Sequence, residues 1–277
     1  MLSASAPHAS TDDHGARTGP EASRMQGQWL LARLGKRVLR PGGLGLTRRL
    51  LTVAPAHGGR VVELGPGVGR TAELPPAFHP SSCTAVDPDP GGRERVTAIL
   101  EGHPEAGSVV ADADAAATPL PDASADLVVG EAMLTIQSSE HKREIIAEVA
   151  RVPAPGDRYV IHEPALRDDR SPEELKAVRQ NISRTIMVGA RPLPQSSWKE
   201  LLTGAGLMVK WTGSVSMHLL EPRRIVEDEG LLGAIRSWRA VRRTPGARER
   251  VRAMRQNSRL QGRMLSAVGI VARKPTQ

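Results

Sequence analysis

A strand-like run that passes into glycines at alternate positions, Val61-Val62-Glu63-Leu64-Gly65-Pro66-Gly67-Val68-Gly69-Arg70, holds the densest chemistry of the chain. Glycines there let the backbone turn tightly and approach a ligand without Cβ atoms in the way. The helix expected to follow presents unpaired N–H groups at its start. A nicotinamide dinucleotide needs the spacing G-x-G-x-x-G, whose helix end receives a pyrophosphate. This chain has G-x-G-x-G, with Glu63 two residues ahead of it. A carboxylate there suits an amino group better than a phosphate, so the expected ligand is a nucleoside that carries an amino acid.

Further acids extend the pattern. Ala85-Val86-Asp87 closes the second strand, 18 residues after Gly69. A carboxylate at that end can accept from both ribose hydroxyls, and such charge-assisted bonds contribute about 1.5–3 kcal/mol each. Ala113-Asp114-Ala115 then precedes Pro119-Leu120-Pro121-Asp122-Ala123-Ser124-Ala125-Asp126, and an Asp at the end of the third strand can accept from an adenine amino group. Asp112 competes with Asp114 for that contact, because the alternating Ala-Asp-Ala-Asp permits a slip of two residues. A single Asp after a strand is commonly a turn residue; here several such elements follow in order, at spacings that one sheet would impose.

In that order, E-x-G-x-G-x-G, V-D and D-A…LPD-x-S-x-D resemble the ubiquinone/menaquinone-methyltransferase-like branch of class I S-adenosylmethionine-dependent methyltransferases. The resemblance runs from about Gln28 to Lys274 and includes Arg191-Pro192…Trp198…Leu201-Leu202…Ala205-Gly206-Leu207. It implies S-adenosylmethionine as cofactor and S-adenosylhomocysteine as product. It further implies that Glu63, Gly65, Gly67 and Gly69 hold the methionine end, Asp87 the ribose, and Asp114 with Ala115 the adenine. Two departures look like packing changes: Val152-Pro153-Ala154-Pro155-Gly156 replaces the family's L-K-P-G-G turn, and Ala125 stands where Phe is common.

Methyl transfer is an in-line displacement, so holding the nucleophile against the methyl group is much of the work. A base is required only for a nucleophile protonated at working pH. Candidates belong at the carboxyl ends of the strands, where open α/β sheets bind ligands. Glu163 and His162, ending the fifth strand, rank first as catalytic residues. Glu131 after the fourth strand is read both as a base and as a cofactor contact, and His218 follows the sixth strand. His141, on a polar helix face, is expected to be solvent-exposed.

The elements that must position these residues are short and alternate. Arg60–Leu64, Cys83–Asp87, Ser108–Asp112, Asp126–Gly130 and Arg158–Glu163 read as buried strands. Helices are expected at Arg93–Glu101, Ser139–Val152 and for about two turns after Gly69, where Pro75-Pro76 stops it. Ser171-Pro172-Glu173-Glu174 and Ser197-Trp198-Lys199-Glu200 read as capping boxes. Met208–Ser216 and Leu265–Lys274 supply two more strands. The expected fold is therefore α/β, a Rossmann-like seven-stranded sheet flanked by helices, with the last strand antiparallel and a helical insertion between strands six and seven. The insertion reads as two helices broken at Thr244-Pro245-Gly246, with Leu231, Ile235 and Trp238 at helical spacing. Residues 25–277 form one domain, with a helical cap over 25–58 and the insertion over 219–263. Residues 1–24 read as a disordered leader.

Composition narrows the partners. The net charge of +8 is local: residues 219–277 hold 14 of the 38 basic residues and 5 of the 30 acidic ones, a net +9. This Arg-rich segment has three readings: a solvated face, a lid that holds an anionic small-molecule acceptor, or a surface for nucleic acid or acidic membrane. Nucleic acid is disfavoured, because the segment's one aromatic residue is Trp238 and single-stranded recognition interleaves aromatics for stacking. An RNA methyltransferase and a cofactor-binding partner without turnover remain as alternatives. Trp29-Leu30-Leu31-Ala32-Arg33-Leu34-Gly35-Lys36-Arg37 reads as an amphipathic helix over the cofactor. One cysteine, Cys83, excludes an internal disulfide and a Cys-rich metal site, so no metal is expected and a cytoplasmic location fits. No apolar run reaches the roughly 20 residues that span a bilayer, and a homodimer is compatible with all of this.

Overall fold

The computed structural model describes residues 25–36, 38–67, 80–102, 109–217, 220–262 and 264–276. The expected leader over 1–24 and the helix after Gly69 lie outside the described residues. In chain order the elements are α1 (Gly27–Arg33), α2 (Gly43–Val53), β1 (Arg60–Leu64), β2 (Ser82–Val86), α3 (Pro90–Leu100), β3 (Val109–Ala111), β4 (Ala125–Glu131) and α4 (Ser139–Arg151). There follow β5 (Pro153–Leu166), α5 (Pro172–Ile186), β6 (Leu193–Pro194), α6 (Gln195–Gly204), β7 (Met208–Ser216), α7 (Pro222–Arg243), α8 (Ala247–Gln261) and β8 (Leu265–Arg273).

The strands lie in the order β3-β2-β1-β4-β5-β8-β7, and β6 is a two-residue addition against the far end of β5. All pairings are parallel except those of β8, which runs antiparallel between β5 and β7. This is the seven-strand sheet expected, with its last strand reversed. Strand order reverses between β1 and β4, the switch point at which such sheets open a crevice.

Alternation along the strands divides the core in two, since successive side chains point to opposite faces. Val62, Leu64, Val128, Tyr159 and Ile161 pack with Ile145 and Val149 of α4 and Trp198 of α6. Val61, Leu127, Val129 and Val160 pack with Leu46 and Leu50 of α2 and Val96 of α3. Burial on both faces explains why these strands read as nearly continuous apolar runs. Cys83 lies in the second cluster, where burial pushes its thiol up to about 12, as befits a small buried hydrophobe.

Several details differ from the expectation, some for local reasons and some through remote partners. The fifth strand begins at Pro153, five residues early, because Ala125 pairs with Pro153 across a bulge. The α3 helix starts at Pro90 with Asp89 as its cap, its carboxylate accepting from the Gly92 N–H at 2.6 Å. Ser171 forms the expected capping box with Glu174, but Ser197 does not cap. The α6 helix starts at Gln195, and Ser196 gives both its N–H and hydroxyl to Asp168 Oδ1 at 3.0 and 2.7 Å. A carboxylate from a distant loop thus replaces the local cap.

The basic segment forms the two expected helices, α7 and α8, broken at Thr244. A further kink occurs at Gly230, whose φ of 71° is outside the helical range. Leu231, Ile235 and Trp238, the apolar positions at helical spacing, are exposed. Packing runs through Ala240 and Val241 against Leu30, Leu34 and Ala247.

Trp198 is fully buried and donates its indole N–H to the Pro164 carbonyl at 3.1 Å. Trp198→Ala should therefore lower unfolding free energy by about 3–5 kcal/mol in urea titration; a loss within the error of the titration would show that this contact carries little of the core.

Candidate active site

Register brings the predicted acids together. Leu64 pairs with Val86 and Gly130, Val86 pairs with Ala111, and Glu131 pairs with His162. Hence β1 to β5 end side by side, and the residues that follow them surround one cavity of about 510 Å³.

Glu63, Gly65, Gly67, Asp87, Asp114 and Ala115 all line one end of it. Gly65 and Gly67 have φ of 60° and 56°, the left-handed region where a Cβ is disfavoured. Asp87 is nearly buried and fixes this turn: Oδ2 accepts from the Gly67 N–H at 3.2 Å, and Oδ1 from the Asp89 N–H at 2.9 Å. A Cβ on Gly92 would sit 2.7 Å from Asp87 Oδ2, so the start of α3 must be small for the carboxylate to keep this pose. Asp114 faces the cavity, whereas Asp112 turns away into an ion pair with Arg93 at 2.8 Å. Positive-φ glycines beside three inward-lining carboxylates fit a nucleoside with an amino-acid tail, and they offer no cluster of cations for a pyrophosphate. Gly69 and His218 lie outside the described residues.

His141 departs from expectation. Instead of facing solvent alone, it lines the cavity and bridges Asp114 Oδ1 at 3.1 Å and Glu144 Oε2 at 2.7 Å. The Glu144 hydrogen bond, against a smaller effect of burial, and the charge of Asp114 raise its pKa. Helix periodicity placed it on a polar face without revealing that this face overhangs the end of β3.

The three described catalytic candidates, Glu131, His162 and Glu163, are not gathered around one reacting point. Glu131 lines the cavity and is nearly buried. It pairs with Arg40 Nε at 2.5 Å, accepts from the Thr47 hydroxyl at 2.5 Å, and meets His162 Nδ1 at 2.9 Å. Burial alone pushes the Glu131 carboxyl up, but Arg40, His162 and Thr47 outweigh it and hold it down at about 2. His162 is fully buried, and its Nε2 accepts from the Gly42 N–H at 2.8 Å. An Nε2 that accepts leaves the proton on Nδ1, which then donates to Glu131. The imidazole is committed on both sides.

Glu163 is fully buried and does not line the cavity. Its Oε1 accepts from Met133 N and Leu134 N at 2.9 and 2.8 Å, and its Oε2 from Thr135 N and Oγ1 at 3.1 and 2.7 Å. Burial pushes this carboxyl up to about 7 against the pull of those donors. The side chain stitches down the loop after β4, where Ala132 has a φ of 57°, unusual for a residue with a Cβ. Neither Glu163 nor His162, ranked first as candidate bases, lines the cavity, and both are held by hydrogen bonds within the fold. Lys142, buried under the same loop, donates to the carbonyls of Gln137 and Arg191 at 2.9 and 3.1 Å. Sequence reasoning passed over Arg40, Thr47, Thr135 and Lys142, because their roles arise only when remote segments meet.

The other end of the cavity is walled by Leu31 of α1, Leu39 after it, Ile182 and Ile186 of α5, Met217 after β7 and Met254 of α8. Among the described residues of the insertion over 219–263, Met254 alone lines the cavity, and Arg255 and Arg259 pair with Glu221 instead. Arg40 is the one Arg or Lys that lines the cavity among the described residues, and it pairs with Glu131. No group of three or more described His, Cys, Asp or Glu residues is placed to hold a metal ion.

Residues 62–161 match the family described as a methyltransferase domain. The chain is 32% identical to an uncharacterised protein of Haemophilus influenzae over 216 residues, covering 76% of this chain and 83% of that one. It is 30% identical to a dimethylglycine N-methyltransferase of Parasynechococcus marenigrum over 183 residues, 63% of this chain and 61% of the relative. A geranyl diphosphate C-methyltransferase from Streptomyces coelicolor, crystallised with S-adenosylhomocysteine, shares the fold, with a TM-score of 0.58, 12% identity and coverage of 83% and 77%. Spacing, register and these matches converge on one assignment: the chain carries a methyltransferase domain over residues 62–161 and is an S-adenosylmethionine-dependent methyltransferase.

Proposed function

We propose that the chain transfers a methyl group to a small, largely apolar acceptor, with catalysis resting on positioning and exclusion of water. The observation that carries this reading is the division of the cavity into an acid-lined end and an apolar end. Pockets for small molecules are mostly apolar, with a few placed polar groups. The resemblance to the ubiquinone/menaquinone branch agrees with an apolar acceptor. An anionic acceptor has less support, because no described arginine of the insertion lines the cavity. Transfer from labelled S-adenosylmethionine to paired acceptors, one neutral and apolar and one bearing a carboxylate, tests the reading. Turnover confined to the charged member, or to RNA, would overturn it.

Bound S-adenosylmethionine supplies an activated methyl group with a good leaving group. In this reading Glu63 with the Gly65 and Gly67 turn holds its amino-acid end, Asp87 the ribose, and Asp114 with Ala115 the adenine. Glu131 holds Arg40 and the start of α2 over the cavity through its ion pair and His162. Glu163 acts through the Met133–Thr135 loop as a positioning residue. A neutral amine or nucleophilic carbon needs no base, which suits a chamber whose buried acids and imidazole are already engaged.

Asp87→Ala should weaken S-adenosylhomocysteine binding at least tenfold by calorimetry, given about 1.5–3 kcal/mol for each charged hydrogen bond; an unchanged affinity removes Asp87 from the site. Glu163→Gln places an amide donor against backbone donors. Cofactor affinity and turnover should fall together while the pH profile of kcat keeps its shape, whereas a base would lose turnover alone. For Glu131, the folded pKa of about 2 lies below the ordinary 4.5. Its stabilisation is therefore present above pH 4.5 and is lost as pH falls toward 2. Urea titrations of Glu131→Gln should show a lower stability at neutral pH and a flatter decline over that acid window.

A further inference from the structure

The outer face of α7 carries a feature that the cavity does not use. Beyond the Gly230 kink, Leu231, Leu232, Ile235 and Trp238 are 70%, 79%, 45% and 58% exposed. Residues 231, 235 and 238 fall on one side of a helix, with 232 at its margin. The opposite side is anchored: Ser237 is buried, and Ala240 and Val241 pack on Leu30, Leu34 and Ala247. Before the kink, Asp228 Oδ1 accepts from the Leu44 N–H at 3.1 Å, and Glu229 Oε1 from the Val38 N–H at 2.8 Å. The apolar ridge is therefore held outward by fixed contacts on its back.

Charge frames the ridge. From Leu231 to Gly262 the chain has nine arginines and one acid, Glu249. Arg236, Arg239, Arg242 and Arg243 are exposed around the ridge, and the Arg242 guanidinium lies 4.6 Å from the Trp238 ring centroid. Large apolar side chains with a Trp among exposed arginines match a helix that lies in a membrane interface: the rings and aliphatic groups enter the acyl boundary while guanidinium groups meet lipid phosphates. A second copy is a poorer partner, since a two-fold contact would set these arginines against one another. RNA would leave the aliphatic ridge unused, with one aromatic residue for stacking.

We propose that residues 231–243 form a docking face for an anionic phospholipid surface, which would seat the roof of the cavity on the bilayer. The roof is shared: Met254 of α8, the partner helix of α7, lines the apolar end of the cavity. No helix of the described residues is long and apolar enough to cross a membrane, so the contact is peripheral.

Cosedimentation of the full chain with vesicles tests this. Binding is expected to vesicles of equal parts phosphatidylglycerol and phosphatidylcholine, to weaken with salt, and to be absent with phosphatidylcholine alone. The triple variant L232Q/I235Q/W238Q should bind at least tenfold more weakly, because it removes three large apolar groups from the buried contact. R239Q/R242Q should also lose at least tenfold and show a shallower salt dependence. Calorimetry with S-adenosylhomocysteine should give the parent affinity for both variants, since none of these side chains lines the cavity. Failure of the parent to bind acidic vesicles, or equal binding by the triple variant, would overturn the proposal. So would a parent dimer in sedimentation equilibrium that the triple variant abolishes, which would assign the ridge to a second copy.

Discussion

The buried Glu131 carboxylate is the point at which the sheet and its cap become one object. It sits at the end of β4, and its partners come from three places: Arg40 ahead of α2, Thr47 within it, and His162 across the strand pair. His162 in turn accepts from the Gly42 backbone. A buried carboxylate without a cation is strongly unfavourable, and the loss of one partner of such a pair typically costs about 3–5 kcal/mol. The roof over the cavity is therefore tied to the folded sheet through electrostatics, in addition to the apolar contacts of Leu46 and Leu50.

Glu163 solves a different problem. A loop leaving the end of a parallel strand has N–H groups that no neighbouring strand can receive, and burial makes unpaired ones costly. One carboxylate receives three of them and a hydroxyl as well. The loop is thereby rigid where it lines the cavity, and rigidity of that wall is what an in-line transfer asks of its surroundings. Adjacent residues of one strand, His162 and Glu163, thus point to opposite faces and serve two different parts of the same enclosure.

The sheet was legible in the sequence because it is governed by local pattern: short apolar or β-branched runs gave β1, β7 and β8 to within one residue at either end. The meeting of Glu63, Asp87 and Asp114 on one cavity was legible for a related reason, since they stand at strand ends and register lines strand ends up. Whatever depends on a remote partner was not legible. Asp168 capping α6, Arg40 reaching Glu131 and His141 meeting Asp114 each join segments far apart in the chain. The exposure of the stripe on α7 was not legible either: periodicity reports that a helix has an apolar side, and says nothing of which side the protein covers.

The reversal of β8 has an evolutionary consequence. Because β7 runs parallel to β5 and β8 returns between them, chain leaving Ser216 and re-entering at Leu265 begins and ends beside the same mouth. Any stretch spliced between those two residues is delivered over the opening without disturbing a single strand register. Lineages can thus exchange or lengthen this cover, and with it the choice of acceptor, while the framework that grips the nucleoside stays untouched.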